Sequence, residues 1–261
     1  MEKVAEIANR TGIMENMPNV LSMALGAGET SLIDLTAAYA SFVNGGKKVE
    51  PSLIDRIQDR RGKNIFLENF AACTNCDEPY IEENPMPKLV NSSESIFDEA
   101  KSYQMVSILK GAVDRGTGRK TKIDGIEIAG KTGTTNNNTD AWFIGFTSDL
   151  IIGVYAGFDK PKSLGKRETG SSVAVPIFRD FVKNYYQEKP ILPFTIPNGI
   201  ELIKINYDTG EIASNFNSSE SVYEAFSKSD NLVSSGEILV GSEGFQIIEV
   251  ADEVMEEYVI Y

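Results

Sequence analysis

The sequence predicts an α+β fold in which an antiparallel sheet is flanked by helices. The first observation is a pair of apolar, aromatic segments, DAWFIGF (140–146) and LIIGVYAGF (150–158), which only a three-residue polar turn separates. Such a pair is typical of an antiparallel hairpin. The second is that GIEIAGKTGTT (125–135), with apolar residues at alternate positions, leads into this hairpin as a further strand. The third is that segments of helical periodicity lie on both sides of the strands in the chain.

Three helices are predicted before these strands. The first has an amphipathic pattern from the first residue and ends at Gly12, which can serve as a C-cap. The second begins at Ser31 with a capping-box-like pattern and ends before Gly46. The third covers residues 97–113, with Ile108 among the side chains expected to face inward. Between the second and third helices, residues 47–70 predict two short strands around a turn at DRRGK, and residues 71–98 predict an irregular loop.

The chain divides into three predicted parts. Residues 1–189 form the main unit, whose last helix lies in SSVAVPIFRDFVKNYYQEK and carries Pro176 near its start, where proline is tolerated. Residues 190–213 comprise a proline-rich linker and a hairpin with its turn at Asp-Thr-Gly. Residues 214–261 are rich in serine and acidic residues, and this composition predicts a poorly ordered tail.

The composition excludes several classes of function. The net charge is −13, so binding to nucleic acid or to an anionic membrane surface is disfavoured. The chain has no histidine, which removes mechanisms that use an imidazole as general base and leaves a poor set of ligands for a zinc site. No metal site and no cofactor are therefore predicted. The longest near-apolar run is far shorter than the ~20 residues that span a bilayer, so no membrane span is predicted in this chain.

Cys73 and Cys76 form a Cys-x-x-Cys pattern that allows three interpretations. These are a redox dithiol, half of a zinc site and a tight disulfide. No second cysteine pair accompanies them, and no strand-helix context resembling thioredoxin surrounds them. A small disulfide formed in an oxidising compartment is the favoured interpretation, and two free thiols remain an alternative if the chain stays in a reducing one.

Lys131, Thr132 and Gly133 form a Lys-Thr-Gly triplet at the end of the predicted strand 125–135. The glycine lets a ligand lie against the strand because no side chain blocks the backbone. The charge of the lysine and the hydroxyls of neighbouring threonines suit a carboxylate, and the N–H after the glycine can point at a developing oxyanion. Because three residues match often by chance, the meaning of the triplet depends on the sequence around it.

That surrounding sequence resembles the transpeptidase domain of class A penicillin-binding proteins. The resemblance is carried by AGKTGTTNNNTDAWFIGFTSDLIIGVYAGFD and ETGSSVAVPIFRDFV, and upstream by ALGAGETSLIDLTAAYASFVNGG and YQMVSILKGAVDRGTG. It covers about residues 1–210 and implies a fold like that of serine β-lactamases and transpeptidases. It also implies acyl transfer from D-Ala-D-Ala peptides in cell-wall cross-linking, with peptidoglycan stem peptides and β-lactams as partners, on the periplasmic side of a bacterial inner membrane.

The resemblance assigns roles to the triplet and the residue after it. Lys131 would supply positive potential and assist proton transfer, and Thr132 and Thr134 would bind the terminal carboxylate of the peptide. Gly133 would leave room for the substrate at the strand. The backbone N–H of Thr134 would form half of an oxyanion hole. The adjacent glycine-rich loop at Gly116–Gly118 would be a structural turn near the cleft.

The remaining motifs of the family are not found where the resemblance needs them. Ser107–Lys110 and Ser163–Lys166 match Ser-x-x-Lys, and Ser229–Asn231 is a Ser-Asp-Asn, but each stands at the wrong place relative to the triplet. All three are interpreted as chance matches. The expectation is that the fold is incomplete at its N-terminal side, with the nucleophilic serine and the Ser-x-Asn loop encoded upstream of Met1 in a missing part of the same protein. The chain would then be inactive by itself, and the alternative is a non-enzymatic scaffold.

Overall fold

A computed structural model describes most of the chain. The described residues are 1–68, 71–74, 88–91, 93–212, 221–228, 236–241 and 244–249. The helices are α1 (Glu2–Thr11), α2 (Leu32–Val43), α3 (Glu99–Asp114) and α4 (Val175–Tyr185). The strands are β1 (Arg56–Gln58), β2 (Asn64–Leu67), β3 (Ala71–Thr74), β4 (Lys88–Asn91), β5 (Ala129–Thr134), β6 (Asp140–Phe146), β7 (Ile151–Gly157), β8 (Ile200–Asn206), β9 (Ser221–Ser227), β10 (Gly236–Gly241) and β11 (Gly244–Glu249).

The central sheet is a three-stranded antiparallel meander in the order β5-β6-β7. Gly133 of β5 lies opposite Trp142 of β6, and Trp142 lies opposite Tyr155 of β7. Helices cover both faces of this sheet, so the predicted α+β class, an antiparallel sheet flanked by helices, is confirmed. The predicted hairpin around residues 147–149 is present as β6 and β7.

One face of the sheet packs against α4. Phe143 of β6 and Phe178 of α4 are both fully buried, and their rings meet edge to face at 4.9 Å between centroids. Gly145 allows this approach, since a Cβ there would stand 2.7 Å from the Phe178 ring. Val182, one turn further along α4, is also fully buried. Burying a phenylalanine of this kind contributes roughly 1.5–3 kcal/mol by transfer from water alone.

The opposite face of the sheet packs against α2 and α3. Phe146 of β6 and Val106 and Leu109 of α3 form one buried cluster on this side. The inward stripe of α3 therefore runs through Val106 and Leu109, and Ile108, predicted to face inward, is 60% exposed. The sequence pattern was ambiguous here because apolar residues stand on two sides of this helix. α2 lies directly on β7, where a Cβ at Gly153 would be 2.9 Å from Leu32.

The start of α2 and the end of α1 lie where the sequence predicted them, whereas the start of the last helix differs. Ser31 accepts a hydrogen bond from the Asp34 N–H at 3.1 Å and caps α2. Gly12 ends α1 with φ +80°, a conformation that glycine adopts without strain. The last helix differs, because a single π-helical turn, Gly170–Ala174, precedes α4 where one continuous helix was predicted. Pro176 lies in the first turn of α4, as expected.

Strands form in two regions for which the sequence predicted an irregular loop or, over much of the length, poor order. Residues 71–98 were predicted to be irregular, yet β3 and β4 pair as antiparallel strands within this range. The tail was predicted to be poorly ordered from residue 214, yet β9 forms there and pairs with β8 along its whole length. The bulk composition of the tail hid the short run VYEAF, whose β-forming side chains suit a half-buried strand.

The side chains of Cys73 and Cys76 lie outside the described residues, so the disulfide stays a prediction, as do the three domain boundaries.

The β8–β9 hairpin is fastened to α3. Glu224 of β9 forms an ion pair with Arg115, at the C-terminal end of α3, and accepts a hydrogen bond from Ser107 Oγ at 3.1 Å. Gln104 Nε2 donates to the Ala225 carbonyl at 3.3 Å. The predicted turn at Asp-Thr-Gly also forms, since the Gly210 N–H donates to the Asn206 carbonyl. After this turn, Ile212 forms an isolated antiparallel bridge with Ile205, while β9 pairs with β8 over residues 200–206.

Candidate active site

Among the residues that the structure describes, one edge of strand β5 is not covered by another strand. Thr135 N–H donates to the Asp140 carbonyl at 3.2 Å, which fixes the phase of the β5–β6 ladder. In an antiparallel pair, alternate residues direct their N–H and C=O groups to the partner strand. Gly130, Thr132 and Thr134 therefore direct theirs away from β6. In the part of the chain that the structure describes, no strand pairs with that side of β5.

The Lys-Thr-Gly residues lie along this edge with their polar groups near one another. Lys131 is exposed, and its Nζ donates to the Thr132 carbonyl at 2.7 Å, one of the groups that point away from β6. The Thr132 hydroxyl lies 2.7 Å from the Thr117 hydroxyl, so the glycine-rich loop after α3 borders the strand. An ammonium group, two hydroxyls and outward backbone N–H groups thus share one exposed region, which can hold an anionic group such as a carboxylate.

Gly133 occupies a position with little room for a side chain. A Cβ there would stand 3.1 Å from the Trp142 Cβ on the neighbouring strand. Trp142 is half-buried and stacks on Tyr155 with 4.8 Å between ring centroids. Phe143 and Phe146 belong to the core, whereas Trp142 lies opposite Gly133 of the triplet. Since the protein has a single tryptophan, its fluorescence reports on this region.

Thr134 makes a contact that sequence reasoning did not identify. Its Oγ1 accepts a hydrogen bond from the Gly170 N–H at 3.0 Å. Gly170 is buried and opens the π-helical turn that leads into α4. The two residues are 36 positions apart in the chain. The only local signal was a glycine just before a predicted helix, and such a glycine more often reflects a cap or a turn.

The loop after Thr134 is held by a carboxylate. Asp140 accepts hydrogen bonds from the hydroxyls of Tyr155 at 2.8 Å, Thr139 at 2.8 Å and Thr135 at 2.9 Å. The bond from Tyr155, followed by that from Thr139, holds the pKa of Asp140 below its ordinary value, although slight burial opposes this. The same bond raises the pKa of Tyr155. Asp140 therefore ties both ends of this loop to β7.

Backbone conformation in this loop is unusual at two positions. Asn137 and Asn138 have φ of 61° and 53°, in the left-handed region that asparagine tolerates better than most residues. Asn138 Nδ2 donates to the Gly165 carbonyl at 2.9 Å, and the Leu164 N–H donates to the Asn138 carbonyl at 2.8 Å. The loop is thus fixed to the segment after β7, and the residue that follows Thr134 has little freedom to move.

The Ser-x-x-Lys matches are not assembled as nucleophile and base. Ser107 donates to Glu224, whereas Lys110 forms an ion pair with Glu127. Burial opposes ionisation of Glu127, but the hydrogen bonds from Lys110 and from the Phe194 N–H outweigh it and lower the pKa of this carboxyl. Ser163 Oγ accepts a hydrogen bond from the Gly165 N–H within its own loop. The third match, Ser229–Asn231, lies outside the described residues.

The described residues contain no group of three or more His, Cys, Asp and Glu side chains placed to share a metal ion. In the described ranges, none of the helices combines the length and the apolar character that a membrane crossing requires.

The fold and the exposed edge of β5 define a domain of the serine-transpeptidase type, and comparison with known sequences identifies the family. A sequence model of the penicillin binding protein transpeptidase domain matches residues 7–183, which is more than half of the chain. The chain belongs to this family. It is 45% identical over 218 residues to penicillin-binding protein 1A of Rickettsia conorii, and the match covers 81% of this chain. The chain spans only 27% of the length of that relative.

Solved structures give the same result for the fold. The crystal structure of penicillin-binding protein 1A from Haemophilus influenzae superposes with a TM-score of 0.71 at 28% identity, covering 87% of this chain and 36% of that one. The penicillin-binding protein PonA1 from Mycobacterium tuberculosis superposes with a TM-score of 0.60 at 21% identity, covering 74% of this chain and 51% of that one. The second likeness concerns the fold alone. The predicted resemblance to class A penicillin-binding proteins is confirmed.

Proposed function

We propose that this chain supplies the substrate-binding strand of a penicillin-binding D,D-transpeptidase. Strand β5 holds the C-terminal carboxylate of a peptide ending in D-Ala-D-Ala, or the equivalent carboxylate of a β-lactam. Lys131 provides positive charge and a route for proton transfer, and Thr132 and Thr134 donate hydrogen bonds from their hydroxyls. Gly133 leaves the strand accessible. The whole protein then works in peptidoglycan cross-linking at the periplasmic side of a bacterial inner membrane.

One observation carries this proposal, namely the uncovered edge of β5. The backbone N–H of Thr134 points away from β6, where it can donate to an oxyanion that develops on a bound acyl group. An extended peptide can also add to such an edge as a further strand. The positive group of Lys131 lies at the same edge in a protein whose net charge is −13, so it is a local exception to the overall potential.

The reaction proposed for the whole protein is acyl transfer in two steps. A serine hydroxyl attacks the carbonyl of the penultimate D-Ala, its proton is removed by a base, and the terminal D-Ala leaves as an amine. An amine of a neighbouring stem peptide then attacks the acyl-serine, forms the new amide and releases the serine. The proposal assigns carboxylate binding and oxyanion stabilisation to β5. The nucleophile is not assigned to Ser107 or Ser163, whose hydroxyls have other partners.

A second candidate function is a catalytically inactive fragment or non-enzymatic scaffold. It is favoured by the separation of Ser107 from Lys110, each of which is engaged by a different glutamate. Both candidates predict no acylation by this chain, and they differ in whether carboxylate peptides bind.

Two measurements on the purified chain test the proposal. Titration with diacetyl-Lys-D-Ala-D-Ala is expected to give a saturable change in Trp142 fluorescence, which Lys131→Met weakens and Lys183→Met, on the outer surface of α4, does not. Absence of any saturable change contradicts substrate binding and favours the scaffold. In the second measurement, fluorescent penicillin is expected to give no covalent band on a denaturing gel. A band that disappears in Ser107→Ala would show that Ser107 is a nucleophile after all.

A further inference from the structure

Gly170 lies directly against the β5–β6 ladder at the level of the Lys-Thr-Gly triplet. A Cβ built on Gly170 would stand 2.6 Å from the Gly133 carbonyl oxygen, and it would be closer still to that of Trp142. Real Cβ atoms do not approach backbone oxygens this closely, so any side chain at this position displaces either the turn or the ladder. Glycine is required here by contact rather than by its backbone angles.

The close approach of Gly170 to the sheet determines which hydrogen bond its backbone N–H makes. Gly170 is the first residue of a helical turn, where N–H groups have no partner within the helix. Its N–H donates instead to Thr134 Oγ1 at 3.0 Å. The turn is held in place by its own cap, since the Thr169 N–H donates to Ser172 Oγ at 2.7 Å. The hydrogen bond to Thr134 and the cap of the turn therefore both fix the position of the Gly170 amide.

The hydrogen bond from Gly170 determines what the Thr134 hydroxyl can do. A threonine hydroxyl has one proton to donate and two lone pairs that accept. With Gly170 donating to one lone pair, the proton of Thr134 points away from Gly170, and the hydroxyl acts as a directed donor. The Lys131 ammonium, which donates to the Thr132 carbonyl, and the outward N–H groups of β5 belong to the same strand and also only donate. A carboxylate accepts from all of them, whereas the NH₂ of a carboxamide would face donors.

We infer that Gly170 is a positioning and specificity-determining residue, whose backbone N–H orients the Thr134 hydroxyl and so makes the site prefer an ionised carboxylate over a neutral carboxamide. The inference rests on the proposed function, in which a peptide carboxylate binds along β5. Gly170 itself touches no substrate and acts through Thr134. The role is not visible in the sequence because it depends on a contact between β5 and the turn before α4.

The first test compares two peptides that differ only at the C-terminal group, a carboxylate in one and a carboxamide in the other. The affinities of diacetyl-Lys-D-Ala-D-Ala and of its C-terminal amide are measured by NMR titration for the wild-type chain, Gly170→Ala and Gly199→Ala. Gly199 is a matched control, since an added Cβ there makes an ordinary 3.4 Å contact with Ala100. We expect the carboxylate-to-amide preference to fall about tenfold in Gly170→Ala and to stay at the wild-type value in Gly199→Ala.

The second test needs no ligand, and it does not require any Gly170 variant to fold. Hydrogen exchange of the Gly170 amide is followed in the wild-type chain, Thr134→Ser and Thr134→Val. The serine keeps the acceptor, so protection is expected to remain, and the valine removes it, so exchange is expected to become about tenfold faster. Equal protection in Thr134→Val overturns the inference.

The outcomes separate this inference from the proposed function. If the wild-type chain binds neither peptide, the proposed function fails, and the specificity role falls with it, whatever the exchange rates show. If the wild-type chain prefers the carboxylate and folded Gly170→Ala keeps that preference, the proposed function stands and the inference alone fails. If Gly170→Ala does not fold, the same peptide pair is applied to Thr134→Val, in which a retained carboxylate preference contradicts the inference.

Discussion

Helix α3 and strand β5 both carry a lysine next to hydroxyl side chains, but in α3 these groups pair with glutamates, whereas in β5 the lysine is exposed. In α3, Ser107 is bound by Glu224 and Lys110 by Glu127. In β5, Lys131 is exposed, and its Nζ donates to the Thr132 carbonyl of its own strand. The family motif Ser-x-x-Lys is matched perfectly by letters in α3, yet its groups serve to fasten one element to another. A sequence match therefore indicates a site only when its lysine is not already paired with a carboxylate that joins two elements.

The largest effect on stability is expected from removing the Phe178 side chain, which packs against the central sheet. Phe178→Ala leaves a cavity against Phe143 under the sheet, and we expect the free energy of unfolding to fall by about 3–5 kcal/mol. Urea denaturation measures this. Ile177→Ala on the exposed side of the same helix serves as the control and is expected to cost less than about 1 kcal/mol. A similar loss in the two variants would mean that α4 does not support the sheet through Phe178.

The second variant removes a structural partner from α3. Glu224→Gln loses the charge that pairs with Arg115, and we expect a destabilisation of about 1–3 kcal/mol, because both groups are largely buried. Binding of diacetyl-Lys-D-Ala-D-Ala should stay unchanged. Glu201→Gln, at an exposed position of β8, is the matched control in the same denaturation experiment. A loss of binding in folded Glu224→Gln would show that the two regions are not independent.

The third variant, on β5, is expected to change peptide binding and to leave stability nearly unchanged. Lys131→Met removes an exposed charge, so we expect peptide affinity to fall about tenfold while the free energy of unfolding changes by less than about 0.5 kcal/mol. Fluorescence titration and urea denaturation give the two numbers. Destabilisation comparable to that of Glu224→Gln would place Lys131 among the structural lysines, beside Lys110.

The smallest effect concerns the loop that follows Thr134. The pKa of Asp140 is lowered in the folded protein, so its contribution to stability is present above the pKa of the unfolded chain. That contribution is lost as the pH falls through the folded pKa and the carboxyl is protonated. We therefore expect the stability of the wild-type chain to drop more steeply between about pH 5 and pH 2 than that of Asp140→Asn. Parallel pH profiles would count against a role for this carboxylate.

Local sequence patterns were enough to predict the central elements and the β5 residues. The hairpin of β6 and β7, the cap of α2 and the Lys-Thr-Gly strand all depend on neighbours within a few positions. The contacts of Ser107 with Glu224 and of Thr134 with Gly170 join residues 117 and 36 positions apart. No periodicity or motif encodes such pairings, because they arise only when separate elements pack. The misassigned face of α3 has the same cause, since its partner strand decides which apolar side is buried.

The attachment of β9 to α3 also bears on the order in which the chain folds. Strands β5, β6 and β7 are joined by short turns, whereas Arg115 and Glu224 stand 109 residues apart. Closing a long loop costs more chain entropy than closing a short one, and distant contacts usually form late. We expect the meander to form first and the hairpin to dock last, so that amides of β9 exchange faster with solvent than those of β6. The β8–β9 hairpin would then dock on α3 after the meander has reached its final shape.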